Sequence, residues 1–152
     1  MTDQTITQNF LSILKEELVP AMGCTEPIAL AYAAARANTY LKQPLLRIKA
    51  HCSGNIIKNV RCVRIPNSGG LTGVEAACTL GALAGDPERH MEVLEAVTPE
   101  GLSRTIHFLK EGLCQVEYLE SSIPLHFSMA VSNLNGYGFI VAEKLDNKVQ
   151  RN

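Results

Sequence analysis

The chain has 152 residues, a formal net charge of −1 and 46% hydrophobic residues. This length suits a single domain, residues 1–152, with a real hydrophobic core. The near-neutral charge predicts no nucleic-acid partner and no binding to an anionic membrane surface. No run of about 18 apolar residues occurs, and no basic region followed by an apolar one, so we predict neither a transmembrane span nor a signal peptide.

The cysteines are odd in number and scattered, and no two of them form a Cys-x-x-Cys pair. They are Cys24, Cys52, Cys62, Cys78 and Cys114. This distribution argues against a disulfide framework and favours a reducing, cytoplasmic location. It also indicates no self-contained zinc or redox motif.

Two helices are predicted around one short polar turn near the start of the chain. Apolar residues recur at helical spacing from about Thr7 to Val19, and Pro20 stops the run. An alanine-rich stretch from Ile28 to about Leu41 predicts a second helix, which should be largely buried. Thr25 is a suitable N-cap for this second helix, and Pro27 is tolerated in its first turn.

The turn between these helices places Cys24, Thr25 and Glu26 at a helix start. A helix start carries unpaired N–H groups and the positive end of the backbone dipole, which favours a thiolate over a thiol. Cys24 could therefore be a nucleophile or a metal ligand. The alternative left open is that Cys24 is a small packed residue and that Thr25 only caps the helix.

Two polar, glycine-bearing turns each follow a strand-like run. Alternation from Leu45 to Cys52 predicts a half-buried strand with Cys52 facing the core, and Val60 to Ile65 suggests a short second strand. The turns are Ser53-Gly54-Asn55 and Asn67-Ser68-Gly69-Gly70. Side by side, such turns could hold a carboxylate on their backbone N–H groups, and ordinary connecting loops are the alternative.

The rest of the chain predicts helices followed by strands. The helices are expected at Leu71–Ala84, about Pro87–Ala96, and about Pro99–Lys110, and the last two begin with a capping residue before a proline. The strands are expected at Cys114–Leu119, Leu125–Val131 and Tyr137–Lys144, with a hairpin turn at Asn135-Gly136. No strand is predicted after this hairpin, so its edge is expected to stay open. The fold class is α+β, with helices packed on a mostly antiparallel sheet and a C-terminal β-hairpin.

Four motifs in this order resemble the N-terminal part of the L-cysteine desulfidase family, which is related to the α-chain of iron–sulfur L-serine dehydratases. The motifs are Met22-Gly-Cys-Thr-Glu-Pro-Ile-Ala29, Ser53-Gly-Asn-Ile-Ile-Lys-Asn-Val60, Ile65-Pro-Asn-Ser-Gly-Gly70 and Leu80-Gly-Ala-Leu-Ala-Gly-Asp-Pro87. The resemblance implies a lyase that converts L-cysteine or L-serine to pyruvate, ammonia and sulfide or water.

The resemblance also implies a [4Fe–4S] cluster held by three cysteines, with one open iron acting as a Lewis acid. Cys24 would be one ligand, and the other two would lie in a C-terminal region that this chain lacks. We therefore expect this chain alone to bind no cluster and to be inactive. Thr25 and Glu26 would orient the small amino-acid substrate or the cluster, and the two glycine-bearing turns would bind the substrate carboxylate. No general base is assigned.

A second hypothesis belongs to a different functional class. This chain could be a catalytically silent module that binds a small carboxylate or assembles with another subunit. The lone ligand-type cysteine and the open hairpin edge favour it. Under either hypothesis, two partners stay open: a second copy of this chain or a missing C-terminal segment. The sequence does not indicate why the chain ends where it does.

Overall fold

The computed structural model describes residues 26–41, 44–133, 137–143 and 149–151. The helices in chain order are α1 (Glu26–Asn38), α2 (Gly54–Val60), α3 (Val74–Ala84), a 3-10 helix (Pro87–Glu92) and α4 (Pro99–Lys110). The strands are β1 (Arg47–Ser53), β2 (Cys114–Leu119), β3 (His126–Ser132), β4 (Tyr137–Glu143) and β5 (Val149–Arg151). None of the described helices is long and apolar enough to cross a membrane.

The two central helices, α1 and α3, pack against each other at very short range. Ten of the thirteen residues of α1 are buried, and most of them are alanines. Gly81 of α3 lies directly against the backbone of Ala31, where no side chain would fit. The Asn38 amide donates a hydrogen bond of 2.9 Å to the Ala82 carbonyl and ties the end of α1 to α3.

The strands form one sheet in the order β2-β1-β3-β4-β5. β1 and β2 run parallel, whereas the β1–β3, β3–β4 and β4–β5 pairs are antiparallel. The antiparallel β3–β4 pair is the C-terminal hairpin, with Ser132 opposite Tyr137. The predicted α+β class, with helices on a mostly antiparallel sheet and a C-terminal hairpin, is confirmed.

One face of the sheet lies in the core, as the period-two pattern requires. On β1 the buried positions are Ile48, Ala50 and Cys52. On β3 they are Phe127, Met129 and Val131. The predicted inward direction of Cys52 is confirmed.

Three local predictions were wrong. The Ser53-Gly54-Asn55 turn opens a helix, α2, which continues to Val60. The strand predicted from Val60 to Ile65 is absent, and only a single bridge joins Arg64 to Thr72. The hairpin edge that was expected to stay open is paired, because β5 adds to β4.

The predicted proline-initiated helices differ in outcome. Thr98 caps α4 by accepting a hydrogen bond from the Gly101 N–H at 3.1 Å, and α4 has the predicted bounds. Asp86 likewise accepts from the Glu88 N–H at 3.0 Å. The segment after Asp86 is nevertheless a 3-10 helix that is interrupted at His90, where φ is 54° and ψ is −115°. A backbone in this region cannot continue a helix, so the predicted span to Ala96 is not reached.

Several predictions lie outside the described residues. They are the helix at Thr7–Val19, the turn residues Cys24 and Thr25, and the hairpin turn Asn135-Gly136.

The outer face of the sheet carries a charged group of three residues. The Glu117 carboxylate accepts from Lys49 Nζ at 3.0 Å and from His51 Nε2 at 3.0 Å. The hydrogen bond from Lys49 is the main cause that lowers the pKa of Glu117 below its ordinary value of 4.5. The group is exposed, so its contribution to the free energy of unfolding is small.

Glu117→Gln is expected to give a pH-dependent loss of thermal stability. A carboxyl with a lowered pKa in the folded state stabilises the fold above its unfolded pKa, and this contribution is lost as the pH falls through the folded value. The midpoint of thermal unfolding should therefore be slightly lower than wild type near neutral pH, and this difference should shrink as the pH falls below 4.5 and through the lowered pKa of Glu117. Circular dichroism melts across this range measure the difference. Glu120→Gln, at an exposed position, is the control, and a gap that persists unchanged to low pH would contradict the assignment.

Candidate functional site

Ser53 ends β1 and connects it to the loop between β2 and β3. Its side chain is buried, with 1% exposure, and its hydroxyl donates a hydrogen bond of 2.9 Å to the Pro124 carbonyl. Ser53 is also the N-cap residue of α2, yet its side chain does not cap that helix. The hydroxyl donates to the Pro124 carbonyl instead, and this hydrogen bond holds the β2–β3 loop against the end of β1.

Asn55 reaches the same carbonyl from the first turn of α2. Its side-chain amide donates to the Pro124 oxygen at 3.3 Å. A carbonyl oxygen has two lone pairs and can accept both bonds. Asn55 is exposed, and none of its described contacts uses its amide oxygen.

The β2–β3 loop carries a serine–histidine pair. Ser121 Oγ and His126 Nδ1 are hydrogen-bonded at 2.8 Å, and the direction of the proton depends on the imidazole tautomer. Ser121 Oγ also accepts from the Ile123 N–H at 3.1 Å. The turn therefore holds the hydroxyl in place beside the imidazole.

These groups lie together because β1 and β2 are parallel. The carboxyl ends of parallel strands meet at one edge of a sheet, and ligands commonly bind outside that edge. β3 is antiparallel to β1, so the start of β3 reaches the same edge. We call this group of residues the strand-end cluster; its members are Ser53, Asn55, Ser121, Pro124 and His126. Hydroxyl, amide and imidazole groups in one place can donate to and accept from the oxygens of a small polar ligand.

The aromatic ring of Tyr118 borders the strand-end cluster. Its ring lies 3.1 Å from the point where a Cβ would stand on Gly54, so Gly54 leaves room for it. Tyr118 is 66% exposed. It is opposite Cys52 in the β1–β2 register, one residue before Ser53.

Glu26, another predicted site residue, lies at the start of α1 and contacts α2. Its carboxylate accepts a hydrogen bond of 3.4 Å from the Asn59 amide. Cys24 and Thr25 belong to the undescribed part of the chain.

The second predicted turn has a structural role. Asn67 adopts a positive φ of 57° and donates a 2.8 Å hydrogen bond to the Leu94 carbonyl. Ser68 is buried and its hydroxyl donates to the Ile65 carbonyl at 2.6 Å. Gly69 and Gly70 also have positive φ values, 70° and 98°, and Gly69 faces Leu102 of α4.

The two glycine-bearing turns are therefore not brought together by their contacts. Ser53 and Asn55 bind the β2–β3 loop, whereas Asn67 binds the segment after the 3-10 helix. Across the described ranges, no hydrogen bond joins one turn to the other. The single carboxylate site formed by both turns stays a prediction, and the first turn contributes residues to the strand-end cluster.

The described cysteines do not form a metal centre. Cys52, Cys78 and Cys114 are buried and Cys62 is exposed. Burial, with the Cys114 thiol as a smaller cause, raises the pKa of Cys52 to about 12, so this thiol stays protonated. Within residues 26–41, 44–133, 137–143 and 149–151, no group of three His, Cys, Asp or Glu side chains is arranged to hold a metal ion. The [4Fe–4S] cluster on Cys24 stays a prediction.

Sequence analysis did not find Ser121 or His126 as site residues. Their proximity to Ser53 depends on β2 lying parallel to β1, a pairing between distant segments that no local pattern indicates. The polar run Glu120-Ser121-Ser122 directly after a predicted strand was the available signal. His90 is exposed and is hydrogen-bonded through Nδ1 to the Tyr32 hydroxyl at 3.4 Å.

Comparison with known proteins finds relatives over most of this chain. It is 44% identical over 119 residues to a UPF0597 protein of Lachnoclostridium phytofermentans, covering 78% of this chain and 28% of that protein. It is 41% identical over 130 residues to a UPF0597 protein of Fusobacterium nucleatum, covering 86% of this chain and 30% of that protein. A UPF0597 protein of Treponema denticola is 37% identical over 134 residues, and the match covers 88% of this chain and 31% of that protein. No family model and no solved structure matches the chain.

This comparison corrects the predicted family and function. The relatives carry the name UPF0597 protein, and none of these names describes an L-cysteine desulfidase or a serine dehydratase. The prediction of an iron–sulfur lyase that forms pyruvate from an amino acid is therefore wrong. In the Ile65–Gly70 motif, which carried part of the resemblance, the side chains serve local structure, as the Ser68 hydroxyl shows. Shared turns and folds do not by themselves carry an activity.

This chain also spans only about three-tenths of the length of these relatives, with coverages of 28%, 30% and 31%. What a protein of full length does is therefore a matter for proposal.

Proposed function

We propose that this chain binds a small polar acid of amino-acid size, such as L-serine or L-cysteine, at the strand-end cluster, as one part of a longer protein. The observation that carries the proposal is the convergence of two separate segments on one point. Ser53 and Asn55, from the end of β1, and the loop bearing Ser121 and His126 are held together at the Pro124 carbonyl. Polar groups that converge at the carboxyl ends of parallel strands are typical of ligand sites.

The chemistry of the cluster favours an acid over a neutral sugar or an apolar ligand. Asn55 offers an exposed amide, and the half-buried Ser121 offers a hydroxyl beside an imidazole. Amide, hydroxyl and imidazole groups can donate hydrogen bonds, and the oxygens of a carboxylate accept them. The exposed ring of Tyr118 provides an apolar wall next to these groups.

Calorimetric titration tests this proposal. We expect L-serine to bind, with L-cysteine tested under reducing conditions, and serinol, which lacks the carboxylate, to bind more weakly. His126→Asn and Ser121→Ala should each weaken L-serine binding about tenfold, since each removes roughly one hydrogen bond worth about 1.4 kcal/mol.

Ser122→Ala is the matched control, because Ser122 is the exposed neighbour of Ser121 and lies outside the hydrogen bonds of the strand-end cluster. Thermal melts of each variant verify that it is folded. Absence of heat with both amino acids, or equal affinity for serinol and L-serine, would contradict the proposal. So would an equal loss of affinity in the Ser122→Ala control.

A further inference from the structure

The strand β2 has one strand neighbour in the part of the chain that the structure describes. The strand order places β2 at one end of the sheet, where it pairs with β1 alone. A strand in this position presents a row of N–H and C=O groups on its other side, which is a template for pairing with another strand. Gln115, Glu117 and Tyr118 of β2 are all exposed. The free side of β2 is therefore a candidate docking edge.

The parallel pairing with β1 determines which residues of β2 direct their backbone groups to this free side. The Ile48 N–H donates to the Leu113 carbonyl at 2.9 Å, and Ile48 is opposite Cys114 in the register. In a parallel pair, a residue of one strand bonds to the two residues that flank its partner, so alternate residues of the second strand face the pair. The odd-numbered residues of β2 therefore bond to β1. The even-numbered residues direct their N–H and C=O groups to the free side, and they are Cys114, Val116 and Tyr118.

We propose that β2 pairs in the antiparallel direction with β2 of a second copy of this chain, with the two-fold axis at Val116. Residues with outward backbone groups must be opposite each other in such a pair, because only they can exchange hydrogen bonds. With the axis at Val116, this residue is opposite Val116 of the second copy, and Cys114 is opposite Tyr118. All the even-numbered residues of both strands are then bonded, which no other two-fold register of this six-residue strand achieves.

The polar side chains of β2 complement each other in this register. Gln115 is opposite Glu117 of the second copy, and facing side chains between hydrogen-bonded pairs lie close together. The Gln115 amide can donate to the Glu117 carboxylate, and the two-fold axis forms this contact twice. Lys49 Nζ, which lies 3.0 Å from Glu117 in its own chain, adds a positive charge beside each contact. An axis at Glu117 would instead place two carboxylates opposite each other, which disfavours that register.

The pairing joins two five-stranded sheets into one continuous sheet. On the face opposite Gln115 and Glu117, the half-buried Val116 side chains of the two copies meet at the axis. The interface is limited to one strand edge and its side chains, so we expect a reversible dimer that dissociates on dilution. Dimer formation does not require a ligand at the strand-end cluster.

Sedimentation velocity of the whole chain over a wide range of concentration measures this dimer. We expect the mass to rise from 16.5 kDa towards twice this value as the concentration increases. Gln115→Glu places a carboxylate opposite Glu117 of the second copy in two symmetric contacts and should raise the dissociation constant about tenfold. The new carboxylate is also opposite Lys49 of its own chain, so thermal melts should show a fold no less stable than wild type. Ser103→Glu, at an exposed position of α4, adds the same charge outside β2 and is the control.

Amide hydrogen exchange identifies the strand edge that forms the dimer. The N–H groups of Val116 and Tyr118 face the free side of β2 in a single chain and are bonded in the dimer, so their exchange should slow as the concentration rises. The N–H groups of Gln115 and Glu117 are bonded to β1 in both states and should change much less.

A mass that stays at 16.5 kDa at every concentration would overturn the proposal. A dimer in which Val116 and Tyr118 exchange as fast as in the dilute chain would also overturn it, because the contact would then lie elsewhere. Equal dissociation constants for Gln115→Glu and Ser103→Glu would contradict the register with its axis at Val116.

Discussion

Gly81→Ala is expected to destabilise the chain by about 3 kcal/mol or more, because the added methyl group has no space. A Cβ at this position would overlap the Ala31 carbonyl oxygen and would lie 2.5 Å from Ala31 Cα. Both atoms are backbone, so no side-chain rotation can relieve the contact. The helices α1 and α3 would have to separate, which would loosen the alanine-rich interface that their close packing requires.

Chemical denaturation followed by circular dichroism measures this loss. Gly54→Ala is the control, since it adds one methyl group as Gly81→Ala does. At Gly54 this methyl group meets only the ring of the exposed Tyr118, which can move. We expect the control to change the free energy of unfolding by less than about 1 kcal/mol. Equal effects of the two substitutions would show that α1 and α3 do not approach each other as described.

Phe127→Ala is expected to cost about 3–5 kcal/mol, the range for removing a large buried aromatic side chain. Phe127 is 1% exposed and is among the largest fully buried side chains. It is opposite Cys52 on β1 and Ala142 on β4, so its loss would leave a cavity in the inner face of the sheet. It also follows His126 directly, and a loosened β3 start would disturb the Ser121–His126 hydrogen bond.

Phe127→Leu refills part of this cavity and should cost about half as much as alanine. Denaturant titration gives the free energy of unfolding for each variant. Equal costs for alanine and leucine would contradict a tightly packed environment, and a cost below about 1 kcal/mol for alanine would contradict the inward direction of Phe127.

The sheet was largely predictable because its side chains alternate in the sequence. The run from Leu125 to Val131 alternates apolar and polar residues, and β3 has the buried positions that this pattern predicts. This alternation predicts which face of the sheet each side chain occupies, but it does not predict which strands are neighbours in the sheet. The parallel β1–β2 pairing, which sets the sheet order, therefore emerged only from the structure.

Local polar segments were predicted less well, since one composition suits several backbone shapes. Ser53-Gly54-Asn55 has the composition of a loop, yet Ile56 and Val60 are buried and hold α2 against the core. Asp86 and Pro87 correctly predict the start of a helix, but the backbone at His90 interrupts that helix. Tertiary contacts decided both cases.

The candidate site was predicted only in part, because tertiary contacts also decide which polar side chains come together. Ser53 and Asn55 were found because they follow a strand, and the structure shows that their side chains hold the β2–β3 loop. Asn67 and Ser68 had the same composition but bond to carbonyls of their own surroundings. Sequence alone could not tell which distant segment each turn contacts, the β2–β3 loop for the first and the segment after the 3-10 helix for the second.

The most direct test of the strand-end cluster is a nuclear magnetic resonance titration of the isotopically labelled chain with L-serine. The proposed site predicts that backbone amide shifts concentrate at residues 53–55 and 121–126, with serinol giving smaller shifts at the same positions. The His126 imidazole signals should move together with them. Shifts that centre on residues 67–70, or no shifts at high L-serine concentration, would contradict the central claim that this sheet edge binds a small acid.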